Sequence, residues 1–255
     1  MKNLENKVAI ITGGSRGIGR ATALRMAEQG AKVIISARDV KRLDAVVGMI
    51  TSAGGSAIAV PCNLDKEDEI EKVVQTAVEK FGTVDILANV GQGSTKGAGA
   101  ALENLKSSAA VFSFYTGAIA SMLFMQMCFP YMKKKGGSII NVSSRYSDIG
   151  GSGYVAFGMV KSAIETLTHM AAVEWGKYGI RTNCIRPIAT KDDMPKIAQR
   201  FMDAMLKNKI PAGYLASPYE DIAPIIAFLA SDQACYLNGE VIGVDGGLSK
   251  CSSTN

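Results

Sequence analysis

The chain has 255 residues, of which 47% are hydrophobic and 20% charged. That suffices to bury one sizeable core and excludes an extensively disordered protein. The net charge of +5 comes without a long basic block and without basic residues interleaved with aromatics, so a nucleic-acid surface is not expected.

Short β-rich runs alternate with longer helical stretches, the pattern of a parallel sheet with crossover helices. The first strand is "KVAIITG" (Lys7–Gly13), and "GRATALRMAEQG" (Gly19–Gly30) is a helix closed by glycine. Strands two to four are "KVIISA" (Lys32–Ala37), "AIAVPCNL" (Ala57–Leu64) and "VDILANV" (Val84–Val90). The uncharged segment Gly117–Met132 is short for a bilayer span, and its Gln126 and Pro130 predict a buried helix, so no membrane is expected. Lys133, Lys134 and Lys135 follow as a solvated loop. Strand five is "GSIINVSS" (Gly137–Ser144), a helix runs from about Tyr154 to Tyr178, and strand six is "GIRTNCIRP" (Gly179–Pro187). "EVIGVDGG" (Glu240–Gly247) is the last strand. No linker or repeat is visible, so residues 1–255 read as one α/β domain, a doubly wound parallel sheet with helices on both faces.

Cys62, Cys128, Cys184, Cys235 and Cys251 are far apart, which writes no metal site or redox pair locally. With no signal peptide at the start, reduced thiols in a cytoplasm are expected. The single histidine, His169, lies in a helical pattern without a partner, so a Ser-His-Asp hydrolase is hard to build.

"TGGSRGIG" (Thr12–Gly19) follows a strand and opens a helix, the context that gives a glycine pattern meaning. Gly13 permits a tight turn. Gly17 and Gly19 let backbone approach a pyrophosphate, which the helix N-terminus would hold with its N–H groups. Ser15, Arg16 and Ile18 complete this loop. Strand two ends at Ala37 and Arg38, where an acid would hold both ribose hydroxyls of NAD. A guanidinium there, with Arg16 as a second, would attract a 2′-phosphate, so NADP(H) is expected.

"TGGSRGIG", "NVSS" ahead of a helix carrying Lys161, "GIRTNCIRP" and "FLASD…LNGEVIGVDGG" together resemble the short-chain dehydrogenase/reductase family, from about residue 5 to 248. The resemblance implies a seven-stranded Rossmann-type sheet, a bound nicotinamide cofactor and a homotetramer. It further implies Asn63 and Leu64 near the adenine, Asn89 near its ribose, Lys161 on the nicotinamide ribose and Ser144 facing a small-molecule substrate. Pro187, Ile188 and Thr190, at and after the end of strand six, would contact the cofactor. Four positions depart from the family. Its Asn-Asn-Ala-Gly reads "NVGQ", its helix asparagine falls near Gly117 where no amide is available, its Pro-Gly is Pro187-Ile188, and its tyrosine general acid is Phe157.

Hydride reduction of a carbonyl leaves charge on oxygen, and a phenol beside an ammonium can meet it. Phe157 cannot. Tyr154 is seven residues before Lys161, and at about 100° per residue it returns to the same helix face. Its spacing, Tyr-x6-Lys, is that of enoyl reductases of the family, where charge develops farther from the nicotinamide. Tyr146, just after Ser144, is the second candidate, and "RYSDIGGSG" partly resembles 2,4-dienoyl-CoA reductases. Met194, Ile197, Phe201, Met202, Met205 and Leu206 give a lid of about residues 188–213 an apolar face, which suggests a bulky apolar or acyl substrate. Two classes stay open: an NADP(H)-linked oxidoreductase acting on a carbonyl, alcohol or conjugated enone, and a non-redox member such as a cyclase, isomerase or binding protein. An ordinary alcohol dehydrogenase carrying an engineered Phe157 is the remaining alternative.

Overall fold

The computed structural model describes residues 2–93, 97, 99–190 and 209–250. Among these residues are seven strands, β1 (Val8–Thr12), β2 (Lys32–Ala37), β3 (Ser56–Pro61), β4 (Ile86–Asn89), β5 (Gly137–Val142), β6 (Ile180–Pro187) and β7 (Val241–Val244). They form one parallel sheet in the order β3-β2-β1-β4-β5-β6-β7. Strand order reverses beside β1, which pairs with both β2 and β4. Connections leave there in opposite directions and open a crevice beyond the strands' carboxyl ends.

The helices are α1 (Gly17–Glu28), α2 (Val40–Ser52), α3 (Glu67–Phe81), α4 (Ser107–Phe114), α5 (Ala120–Met132), α6 (Val155–Trp175) and α7 (Ala223–Ala230). Period-two alternation sorts the sheet's side chains between two cores. In β1, Ala9 and Ile11 join Met26 of α1, Leu43 of α2 and Ile226 of α7. Val8 and Ile10 join Val73 of α3 and Phe124 and Met125 of α5 on the other face. All five residues of β1 are buried, as a strand covered on both faces requires.

Local chemistry sets the ends. Asp39 caps α2 by accepting from the Arg42 N–H at 3.1 Å. Glu67, Asp68 and Glu69 begin α3, and Gly82, in the left-handed region, ends it. The third strand stops at Pro61, three residues short of the sequence expectation, because the Glu69 carboxylate accepts from the Asn63 N–H at 2.7 Å and turns the chain out of the sheet. The apolar helix expected at Gly117–Met132 is the second half of a longer one, which passes through a π-helical turn at Tyr115–Ile119. Ser107–Met132 is long and apolar enough to cross a membrane by composition, yet Phe124, Met125, Cys128 and Met132 are packed in the core. Among the described cysteines, Cys62, Cys128 and Cys184 are buried, Cys235 is exposed and none is paired. His169 is exposed. The expected lid face from Met194 to Leu206 lies outside the described residues.

Candidate active site

The turn after β1 is built for close approach. Gly13 and Gly17 have φ of +69° and +52°, where a side chain is strained. A Cβ on Gly19 would lie 2.1 Å from the Gly13 carbonyl oxygen, so α1 can start against this turn only with glycine there. Thr12 Oγ1 accepts from the Gly91 N–H at 2.8 Å and ties the turn to the loop after β4. The first turn of α1 carries no acidic residue, which leaves its positive dipole end available to an anion.

A cavity of about 900 Å³ opens over this turn. Gly13, Ser15, Arg16, Gly17, Ile18 and Gly19 form its floor. Arg38, Asn63 and Leu64 border one end, and Ser144, Lys161, Pro187 and Thr190 the other. Sequence reasoning missed Arg42 and Cys62 at the first end and Gln92 and Thr116 near the second. Arg42 had a legible signal, since it stands four residues after Arg38, just inside α2. It contacts the Asp39 carboxylate at 3.3 Å. Burial pushes the Cys62 thiol up to about 12, so it is no nucleophile at neutral pH.

Two expected cofactor residues are not on this wall. Asn89 is turned into the protein, where its Nδ2 donates to Asn141 Oδ1 at 2.9 Å and Asn141 Nδ2 donates to Thr168 Oγ1 at 2.9 Å. This chain of hydrogen bonds joins β4, β5 and α6. Ile188 instead borders a separate cavity of about 300 Å³ with Tyr214 and Asp245.

Lys161 is 5% exposed and its Nζ donates to the Val142 carbonyl at 2.7 Å. Desolvation lowers its pKa to about 8. The ammonium is the form that could hold a ribose or support a developing anion, so kcat/KM of the free enzyme is expected to fall as pH rises through about 8. A flat profile to pH 10 would count against that role. The sign for stability is opposite. The unfolded lysine keeps its proton to about 10.5, so the cost of the buried charge is full below about 8 and shrinks as pH rises between the two values.

Beneath Ser144, Glu165 gathers three elements. Its Oε1 accepts from Ser143 Oγ at 2.6 Å and Ser147 Oγ at 2.5 Å. Arg186, at the end of β6, grips both carboxylate oxygens at 2.7 Å and contacts Asp148 at 2.9 Å. Burial pushes the Glu165 carboxyl up, but the bonds from Arg186, Ser143 and Ser147 outweigh it and hold the pKa below the usual range. Ser144 lies in the loop so fixed. Its Oγ accepts from the Tyr146 N–H at 3.4 Å, a long bond that a ligand can displace.

The tyrosines form an outer layer. Tyr154 does not continue the α6 stripe; it immediately precedes the helix, with φ −112° and ψ 18°. Its ring stacks on Tyr146, centroids 4.2 Å apart and planes 7° apart. Both meet Phe157 at 6.3 Å, near edge-to-face. Phe157 faces the cavity, with Lys161 Nζ 5.4 Å from its ring centre, whereas neither tyrosine is on the wall. Tyr154 is 43% exposed. Burial, and then Tyr154, raise the pKa of Tyr146. Gly153, with φ +77°, is bound to the opposite loop by the Gly99 N–H at 2.9 Å.

An amide is present near Gly117 after all. A Cβ on Gly117 would stand 3.6 Å from Gln92 Nε2, and 2.4 Å from Val160 Cγ1. Val160 thus bars a side chain from the helix position, and Gln92 reaches the same region from the loop. Gln92 Oε1 and Nε2 are shut off from solvent and have no partner among the described residues. Each such orphan costs about 1–3 kcal/mol.

A glycine-cradled cavity at the switch point of a parallel sheet, with a buried lysine at its inner end, is the arrangement of a dinucleotide-binding α/β protein. The family model described as enoyl-(acyl carrier protein) reductase matches residues 13–249. The 3-oxoacyl-[acyl-carrier-protein] reductase FabG of Thermotoga maritima is 34% identical over 247 residues, covering 96% of this chain and 98% of that protein. The 12alpha-hydroxysteroid dehydrogenase of a Clostridium species is 29% identical, with coverage of 96% and 98%. The solved structure of a short-chain dehydrogenase/reductase from Serratia marcescens superposes with a TM-score of 0.89 at 31% identity, covering 97% of this chain and 99% of that one. The chain belongs to the short-chain dehydrogenase/reductase family.

Proposed function

We propose that this protein is an NADP(H)-dependent oxidoreductase that reduces the C=C bond of an apolar enone or enoyl substrate, with Tyr154 as the proton donor. The observation that carries this reading is the layering Lys161, Phe157, tyrosine pair. An apolar ring fills the slot nearest the lysine, and the phenols stand one ring farther out. NADPH, when bound, supplies the hydride. Reduction of a conjugated C=C puts charge on the carbonyl oxygen, away from the carbon that takes the hydride. Tyr154 supplies the proton at that displaced oxygen, with Tyr146 as the alternative. The Ser144 hydroxyl donates a hydrogen bond to the same oxygen, the Lys161 ammonium holds the nicotinamide ribose, and Phe157 keeps water out.

The glycine turn, where a Cβ on Gly17 would stand in open space, fits a pyrophosphate, and Arg38 with Arg42 fits a 2′-phosphate where no acid stands at Ala37. NADPH is expected to bind at least about tenfold more tightly than NADH by calorimetry, about 1.4 kcal/mol. Arg38→Asp should reverse the preference, and equal affinities in the wild type would refute it. Turnover of NADPH with an enone tests the reaction itself. The missing phenol at Phe157 favours one other reading, a non-redox member that binds NADP(H). Tight NADPH binding without oxidation by any ketone or enone would select it.

The same reading includes a cytoplasmic homotetramer. Val111 on α4 and Met159, Met170 and Val173 on α6 are 66%, 54%, 54% and 81% exposed, apolar faces that suit a subunit interface. Light scattering should give four times the chain mass at micromolar concentration; a monomer there would reject the assembly.

A further inference from the structure

We propose that Gln92 binds an oxygen atom in the main cavity, of the substrate or of a water ordered there, by turning its side-chain amide out of the position it holds against Gly117. This goes beyond the proton donor and does not depend on which tyrosine serves. Only the kinetic arm of its test rests on C=C reduction.

The loop that carries Gln92 is pinned on both sides. The Gly91 N–H donates to Thr12 Oγ1 at 2.8 Å, and the Gly93 N–H to the Thr116 carbonyl at 3.4 Å. A Cβ on Gly93 would meet Thr116 Oγ1 at 2.4 Å, so the loop lies directly on the π-helical turn. Its backbone cannot carry the amide to a partner; only the side-chain bonds can turn. Gln92 borders the cavity, so rotation delivers the amide there. Where it now rests, neither amide atom has a partner among the described residues, and this resting position is therefore the weaker one whenever an oxygen is offered.

Thr116, on which this loop lies, does not compete for that oxygen, and Gln92 would add to the Ser144 hydroxyl at the other side of the cavity. The Thr116 hydroxyl proton is committed to the Phe112 carbonyl at 2.9 Å. Phe112, Val142 and Phe157 make the wall around it apolar. An amide presents two donors and an acceptor, so it suits a carbonyl oxygen of the substrate or an ordered water equally.

Crystals of the full chain with NADP+ alone, and with NADP+ plus crotonyl-N-acetylcysteamine, separate these sources. The amide should be found rotated, with an oxygen within about 3.2 Å. A water in both complexes shows that Gln92 holds a water, and the thioester carbonyl in the second shows direct reading. In the kinetic arm, Gln92→Leu should raise KM for the thioester about tenfold if reading is direct, or lower kcat about tenfold if water is held, at unchanged NADPH affinity and with no loss of thermal stability. The proposal fails if the amide stays against Gly117 in both complexes, or if Gln92→Leu matches the wild type in both KM and kcat. Should the wild type leave the thioester unreduced, the C=C reading fails by itself, and the NADP+ crystals still decide the fate of Gln92.

Discussion

Tyr154→Phe should lower kcat for an enone or enoyl thioester by about 10²–10⁴-fold, the usual worth of a positioned general acid, while NADPH binds as before. Its ring would still stack on Tyr146 and meet Phe157 edge-on, so only the hydroxyl is removed. Tyr146→Phe serves as the companion, because the two phenols lie in one stack. The converse change tests the inner slot. Phe157→Tyr would place a phenol beside Lys161, whose ammonium can lower its pKa, and should raise activity on simple ketones or alcohols. Full activity in both Tyr154→Phe and Tyr146→Phe would remove the outer layer from the chemistry.

Glu165→Ala should be the most damaging change away from the cavity wall. It leaves Arg186 with Asp148 alone and strips Ser143 and Ser147 of their shared acceptor. Removing one partner of a buried, hydrogen-bonded ion pair costs about 3–5 kcal/mol; because Arg186 keeps Asp148, the lower end, about 3 kcal/mol, is expected here. At roughly 2–4 °C per kcal/mol for a chain of this size, the melting temperature should drop by about 6–12 °C. The pH dependence carries the sign of a depressed carboxyl. The stabilisation is complete above the unfolded pKa near 4.5 and is lost as pH falls through the lower folded value. The wild type should therefore lose part of its advantage over Glu165→Ala in acid and regain it near neutrality. An advantage that does not change with pH would mean that Glu165 acts through packing and not through charge.

The glycine turn was legible because its constraint is local. Gly13, Gly17 and Gly19 are demanded by backbone conformation and by contacts within one strand-turn-helix unit. The same holds for the missing acid at Ala37, which is the last residue of a strand that the sequence marks clearly. The resemblance implies Asn89 and Ile188 as cofactor residues, but the direction of a side chain at a strand end is not written in the linear chain. Asn89 is drawn inward because Asn141, across the ladder, offers it a partner. Periodicity puts Tyr154 on the face of Lys161, but the helix begins one residue later, and stacking on Tyr146 sets its direction.

By itself, the sequence determined the alternation of strands and helices, the doubly wound sheet, the dinucleotide turn and the loss of the phenol at Phe157. Each depends on residues near one another in the chain, whose periodicity and conformational limits act before any tertiary contact forms. Only the tertiary structure decided how the polar groups pair. It brought Glu165, Ser143, Ser147 and Arg186 together from three elements, stacked the tyrosines outside Phe157, and set the Gln92 amide beside Gly117 where Val160 bars any other side chain. The Glu165 and Gln92 contacts join residues 18 to 25 or more positions apart, while the tyrosine stack joins residues eight apart. Their partners are chosen by packing geometry and by the need to satisfy buried polar atoms, neither of which leaves a pattern in the linear chain.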